Sequence, residues 1–461
     1  MSIHPHAVAI SLDDIRPCFE GAIPSMMATC DAEGVPNVAY LSQVDYVDAH
    51  HLALSFQFFN TTRRNVLANP QVEILVTHPY TSAIYRLRAR YLHTQTSGPL
   101  FERMKARLSG IASHTGMSEV FRLKGADLYR VESIVHVDKP DLPAPPAGSG
   151  RLSALRRASE QLAACHDLDT LFDTTLDVLR DEFDIRHAML LMLDASGQQL
   201  YTVASRGYPN SGVGSEIALG QGVIGVAARE RTPVRISHLT AEYTYSRAVR
   251  DGLRRAGAEA GAPAGADREI PWPGLAEPHS QLAVPLVVGG DLLGVVFVES
   301  TEDLRFSYDD EDALVCLAGH IGRAVRQFQA GADESEDGPA AEVPASAAPA
   351  VDPAQSPLPV RYFPVDGSVF FGHDYIIKGV AGAILWKLVS DHVQHGRNEF
   401  TNRELRLDPR IRLPDVCDNL EARLVLLTRR LVERQTPVTL HKTGRGRFAV
   451  QVQRPLVLEE A

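Results

Sequence analysis

Apolar residues recur along this chain with two periods, and the switch between them marks out the elements. Near the C-terminus Val416, Leu420, Leu424, Leu427 and Leu431 are spaced by four, four, three and four. At about 100° per residue that spacing makes one stripe of a helix. Asn419, Arg423 and Arg430 fall together on the flank beside the stripe. Residues 437–442 and 447–452 then read as two strands around the turn Thr443-Gly444-Arg445-Gly446, a basic hairpin. Upstream, residues 380–395 carry Ile384, Leu385, Leu388 and Val389 at helical spacing. A hairpin over 369–371 and 375–377 precedes them. Thr401 and Glu404 are spaced as a capping box opening a short helix.

Earlier segments follow the same logic. Residues 25–30, 35–44, 51–57 and 71–77 read as strands, with a helix over 61–69 closed by Asn69-Pro70. In the middle, residues 151–179 are helical by periodicity. Strands are expected at 187–193 and 199–205, around the turn 194–197, and at 233–236, 280–286 and 292–299. A last helix runs over about 308–329.

Length and composition divide this pattern into parts. At 461 residues the chain exceeds one ordinary core, and about three domains is the expectation. Residues 138–150 are rich in Pro, Ala and Gly. Residues 331–359 are Ala/Pro/acidic and nearly free of large apolar side chains, a linker that buries no core. The formal charge of −11 argues against a uniformly basic nucleic-acid coat. From Arg397 to Arg454, however, thirteen Lys and Arg face seven Asp and Glu, a local +6 suited to phosphates. The five cysteines (18, 30, 165, 316 and 417) show no C-x-x-C spacing, which fits a reducing cytoplasm. No signal peptide is visible, and the most apolar stretch, 282–298, is broken by Gly289-Gly290-Asp291 into a hairpin rather than a membrane span.

Three resemblances attach to these residues. Asn60-Thr61-Thr62-Arg63-Arg64, followed by Asn65 and Val66-Leu67-Ala68-Asn69-Pro70-Gln71-Val72, resembles the phosphate-side segment of the pyridoxamine 5′-phosphate oxidase-like, FMN-binding split barrel. The strands around Arg88–Leu92 and Tyr129–Val131 fit the same pattern. The resemblance implies that Asn60, Thr61, Thr62, Arg63 and Arg64 contact the flavin phosphate, a helix N-terminus beside cations being an anion site. Thr62 stands where many members of that family have lysine.

The middle segment is similar to a GAF domain. Gly220-Gln221-Gly222-Val223-Ile224-Gly225, Ser280-Gln281-Leu282-Ala283-Val284-Pro285-Leu286 and Leu293-Gly294-Val295 occur in that family's order. The glycine motif also matches a dinucleotide fingerprint, but no βαβ unit surrounds it. A small-molecule pocket is expected beneath residues 237–281, which include an Ala/Gly-rich insert at 256–267. His187, His238 and His279 are the side chains there suited to haem or a metal, though a lone histidine more often serves packing.

The C-terminal segment resembles the OmpR-type winged helix. That implies DNA contacts from Asn419, Arg423, Thr428 and Arg430 on the recognition helix and from Lys442, Arg445 and Arg447 on the wing.

The expected architecture is therefore multidomain α+β. It comprises an N-terminal split β-barrel (10–137), a central GAF α/β sandwich with an antiparallel sheet (151–329), a disordered linker (331–359) and a C-terminal winged helix-turn-helix (366–453). The expected function is a cytoplasmic, ligand- or redox-responsive transcriptional regulator that binds DNA, FMN and a small-molecule effector. It would be a homodimer through its GAF or barrel unit. An FMN-dependent oxidoreductase with accessory modules and a scaffold that binds a protein partner are the alternatives. No catalytic constellation and no metal site is singled out.

Overall fold

The computed structural model describes the chain apart from residues 1–9, 22, 42, 58–60, 116–121, 138–140, 144–150, 195, 239–269, 335–355, 412–419, 445 and 461. The N-terminal unit holds β1 (Ser25–Cys30), β2 (Pro36–Leu41), β3 (Val44–Asp48), β4 (His51–Phe56), α1 (Thr61–Ala68), β5 (Gln71–Thr77), β6 (Ile84–Gln95), α2 (Pro99–Thr115) and β7 (Gly125–His136). Its strands form one antiparallel, barrel-like sheet in the order β2-β1-β5-β6-β7-β4-β3. Strict alternation specifies the register: Val72, Ile74 and Val76 of β5 are buried while the residues between them are more open. The single strand expected over 35–44 is two, because β2 and β3 lie on opposite edges of the sheet.

The middle unit runs through α3 (Arg151–Ala163), α4 (Leu168–Phe183), β8 (His187–Leu193), β9 (Gln199–Arg206), β10 (Glu216–Ala218), α5 (Gly222–Glu230), β11 (Val234–Ile236), β12 (Ser280–Val288), β13 (Asp291–Ser300) and α6 (Tyr308–Glu334). The expected helix over 151–179 is two helices. Asp167 interrupts it in an extended conformation and accepts a hydrogen bond from the Thr170 N–H at 2.9 Å, capping α4. The six-stranded antiparallel sheet has the order β10-β9-β8-β13-β12-β11. Its strands read as continuous apolar runs because both faces are covered. Leu190, Met192, Leu282, Val284, Val296 and Val298 pack with α3, α4 and α6. Met189, Leu191, Ala283, Val295 and Phe297 pack with α5 on the other side.

In the C-terminal unit β14 (Leu358–Phe363), β15 (Ser368–Phe371) and β16 (Asp374–Ile377) precede α7 (Gly379–His395), β17 (Glu399–Thr401), α8 (Asn402–Leu407), α9 (Leu420–Glu433), β18 (Val438–Gly444), β19 (Arg447–Val452) and β20 (Leu456–Glu460). The lead-in hairpin belongs to a four-stranded sheet, β16-β15-β14-β20, in which β14 and β20 pair in parallel from either end of the unit. A second sheet, β17-β19-β18, adds a third strand to the basic hairpin. The expected capping box forms its first half, with the Glu404 N–H donating to the Thr401 hydroxyl at 3.1 Å. Lys387 is 2% exposed at the heart of the unit. Its ammonium meets Asp391 at 2.7 Å, Glu404 at 3.2 Å and Asp408 at 3.6 Å, pinning α7 to the α8 segment.

The three units share interfaces. The core of the middle unit continues without a break into Ile384, Leu388, Leu427 and Leu431 of the C-terminal unit. On the other side α2, a helix not expected from the sequence, seats Ala106 in the same apolar cluster as Val234 and Val226 of the middle unit. Gly110 lies so close that a Cβ there would stand 2.5 Å from a Val234 methyl. A buried ion pair between Arg235 and Glu20 reinforces this joint, with Glu311 also 2.7 Å from the Arg235 guanidinium. Of the expected linker 331–359, residues 335–355 lie outside the described residues, while its ends belong to α6 (to Glu334) and β14 (from Leu358). The 256–267 insert lies wholly outside them.

Candidate functional site

Three places carry the expected site residues. At the barrel, α1 follows β4, and its first residues are the proposed phosphate-side segment. Thr61 is exposed and its hydroxyl accepts from the Arg64 guanidinium at 3.1 Å. The Thr62 hydroxyl accepts from the Asn37 amide at 3.0 Å. Arg63 turns inward instead. Its guanidinium pairs with Asp127, donates to Thr94 at 2.8 Å and lies 4.4 Å from the Phe56 ring centroid. Burial raises the Asp127 pKa, while Thr94 and Arg63 pull it back down. Asn60 lies outside the described residues. Thr61 and the Arg64 guanidinium thus lie exposed at the start of α1, and Arg64 is a donor of the kind a phosphate accepts from, whereas Arg63 is committed to the barrel interior.

Inside the middle unit, the histidines are held by ordinary polar contacts. His238 and His279 share Asp303, at 2.7 and 3.4 Å, and His187 lies against the Tyr208 ring. Among the described residues no group of three or more His, Cys, Asp and Glu is placed to hold a metal ion. Burial, with Glu299 nearby, drives the Tyr208 hydroxyl well above its ordinary pKa. Trp272 packs on Phe297 with ring centroids 6.2 Å apart, and Gln281 donates to Glu299 at 3.0 Å.

The third place is the junction of α4 with α9 and the β18–β19 hairpin. Arg423 and Arg430, expected on an accessible flank of the helix, are each 6% exposed. The reason is that α9 is covered on more than its apolar stripe. The Arg430 guanidinium donates to the Ile376 carbonyl at 2.9 Å and pairs with Glu433 at 3.0 Å. Burial lowers its pKa, and Glu433 opposes the shift. Arg423 lies 5.5 Å from the centroid of the Tyr201 ring on β9, and its Nε is buried with no hydrogen-bond partner among the described residues. Thr428 lines a cleft facing α4, and Arg447 lies exposed at its edge. Asn419 and Arg445 are outside the described residues.

Of the residues that organise this junction, sequence reasoning named only Lys442, as a wing contact, and missed its partners and Arg429. Arg429 donates to Asp169 at 2.6 Å and reaches Asp173 at 3.0 Å, while Lys442 meets Asp167 at 3.0 Å. Burial works against ionisation of Asp167, but the Thr170 N–H and Lys442 hold its carboxyl below the ordinary range. Lys378 adds a pair with Glu216 at 2.9 Å, and Ser211 donates to Glu433 at 2.7 Å. A signal was available: Asp169, Asp173 and Asp177 recur every fourth residue and form an acidic stripe along α4.

Comparison with known proteins follows these boundaries. Residues 12–131 match the pyridoxamine 5′-phosphate oxidase family, and residues 165–326 match the GAF domain. No curated protein matches the chain. Among solved structures, it is similar to an FMN-binding protein from Syntrophomonas wolfei subsp. wolfei. The identity is 16%, covering 27% of this chain and 84% of that one, with a TM-score of 0.24. The GAF domain of an Acinetobacter phosphoenolpyruvate-protein phosphotransferase is 20% identical over 40% of this chain and 97% of that one, with a TM-score of 0.30. Free methionine-R-sulfoxide reductase from Neisseria meningitidis is 19% identical over 40% of this chain and 98% of that one, also at 0.30. The chain therefore carries a pyridoxamine 5′-phosphate oxidase-like N-terminal domain followed by a GAF domain.

Proposed function

We propose that this protein is a cytoplasmic, ligand-responsive transcriptional regulator whose C-terminal unit is an OmpR-type winged helix that reads DNA under the control of the GAF domain. The observation that carries this reading is the pairing of Arg429 and Lys442 with the α4 aspartates. Cations on a helix and on the adjoining hairpin converge on a row of carboxylates, and such a surface is equally complementary to DNA phosphates. The order α7, β17, α8, α9 and hairpin supports it, with α9 as the recognition helix and the β18–β19 turn as the wing. In the docked arrangement α4 covers part of that surface, so DNA reading requires the C-terminal unit to leave the GAF domain. Asn419, Arg423, Thr428, Lys442, Arg445 and Arg447 are then the groove and phosphate contacts. Arg430 holds α9 against β16.

The barrel is proposed to bind FMN through its phosphate, with Asn60, Thr61, Thr62 and Arg64 as contacts, and Arg63 stabilising the wall behind them. The flavin would supply two-electron redox chemistry. A homodimer through the barrel is supported by edge strand β2, which exposes Val38 (66%) and Tyr40 (77%). No helix among the described residues is long and apolar enough to cross a membrane.

The test is selection of bound sequences from a random DNA pool, using the full chain and a D167N/D169N/D173N variant. Specific retention, stronger in the variant and weakened in K442Q/R447Q, is expected. Loss of each phosphate contact reduces the salt slope by about one. Failure of both the full chain and the aspartate variant to retain any sequence would remove the DNA-reading assignment.

A further inference from the structure

Between the start of α4 and the facing surfaces of α9 and the hairpin lies a cleft of about 400 Å³. Its floor is apolar and comes from both units: Leu168 and Phe328 on the GAF side, Leu424, Val425, Leu440 and Phe448 on the other. That volume lies in the range of sites for small organic ligands, which combine an apolar floor with a few placed polar groups.

The charges around the rim define what fits. Asp167 is matched by Lys442 at 3.0 Å, and Asp169 by Arg429 at 2.6 Å. Glu421 is matched by Arg406, from outside the cleft, at 2.7 Å. Arg447 is the exception. It is exposed at the rim and makes no ion pair among the described residues. An apolar floor with one guanidinium unmatched among the described residues calls for an apolar body bearing a single negative charge.

We propose that this interdomain cleft is a binding site for a small amphipathic carboxylate, whose aromatic or branched body lies on the apolar floor and whose anion pairs with Arg447. The site exists only while the two units are docked, since each supplies part of the floor. A ligand bound there stabilises the docked state by mass action and opposes release of the C-terminal unit. This regulatory half rests on the DNA-reading proposal, whereas ligand binding itself does not.

Titration calorimetry on the full chain tests the site, with benzoate, 4-methylpentanoate, indole-3-acetate and the neutral indole-3-acetamide as probes. Saturable binding of at least one carboxylate with unit stoichiometry is expected, and indole-3-acetate should bind about tenfold more tightly than its amide. R447Q should abolish that preference while leaving the fold intact, and L424W should fill the cleft and block every probe. Absence of saturable binding by all three carboxylates, or binding indifferent to both variants, overturns the site.

DNA retention is then measured with the bound probe. At one hundred times its Kd the carboxylate should weaken DNA binding by up to about a hundredfold. Ligand binding with unchanged DNA affinity overturns the coupling. Ligand binding in a chain that retains no DNA under any condition leaves the site standing and removes the DNA-reading assignment instead.

Discussion

Arg429 of α9 donates to Asp169 of α4 at 2.6 Å across 260 residues of sequence, and this contact joins the sensor domain to the C-terminal unit. Asp173, one turn further along α4, holds the same guanidinium at 3.0 Å. Both carboxylates are more than half exposed, so each pair is a solvated one and contributes modestly, at about 0.2–1 kcal/mol.

Replacing Asp169 and Asp173 together by Asn should therefore loosen the junction without unfolding either unit. Hydrogen exchange over α9 should accelerate several-fold, and the difference from wild type should shrink as salt is raised. Exchange that stays unchanged at low salt would show that the apolar core between the units, not the ion pairs, sets the docking.

Lys387 makes a sharper prediction because it is buried. Lys387→Met removes the ammonium from three carboxylates that remain packed around it. Breaking a buried charge cluster on one side should destabilise the C-terminal unit by about 3 kcal/mol. Trp386, stacked on Tyr362 with centroids 5.0 Å apart, reports the transition once Trp272 is replaced by Phe. A change below about 1 kcal/mol would mean that Arg397 and Arg410 alone neutralise the cluster.

The same cluster sets an acid limit. The Arg410 guanidinium, against some burial, lowers the Asp408 pKa from 3.8 to about 2. Arg397 lowers that of Glu404, against burial and with help from Lys387. Because both carboxyls are depressed in the folded state, their stabilisation is present above the ordinary carboxyl range and is lost as pH falls through the folded values. Trp386 fluorescence in W272F should show urea resistance declining between about pH 4 and 2. R410Q should raise the midpoint of that decline, and an unshifted midpoint would remove Arg410 as its cause.

Gly110 tests the joint between barrel and GAF domain. Its ideal Cβ stands 2.5 Å from a Val234 methyl, so Gly110→Val must push α2 away from the middle unit. Overpacking of this kind destabilises by about 1–3 kcal/mol. Faster hydrogen exchange in both α2 and α5 is expected. Faster exchange in α2 alone would indicate that the helix bends while the interface holds.

Much of the architecture is legible in local pattern. The bounds of β5 and β8 coincide with the runs 71–77 and 187–193, because alternating or unbroken apolar residues determine where a strand can bury its side chains. The Thr401 cap was likewise readable from its spacing to Glu404. The break at Asp167 was less visible, since Leu162 and Leu168 continue the apolar content on either side of the cap. Helix α2 carried the same periodic signal in Phe101, Met104, Leu108 and Ile111, which recur at helical spacing. What the sequence hid is the face it turns to the middle unit, where Ala106 and Gly110 matter for close approach rather than for hydrophobicity.

By itself, then, the sequence determined most of the elements, the apolar faces they bury, the order of the two recognised domains and the local basic character of the C-terminal unit. These depend on side-chain periodicity and composition, which act over a few residues. Only the tertiary structure decided that Arg63 turns to Asp127, that Arg430 is sealed against the Ile376 carbonyl, and that Arg429 and Lys442 meet the aspartates of α4. Those pairings join residues far apart in the chain, and whether a charge faces solvent, a ligand or an opposite charge depends on what the fold brings against it.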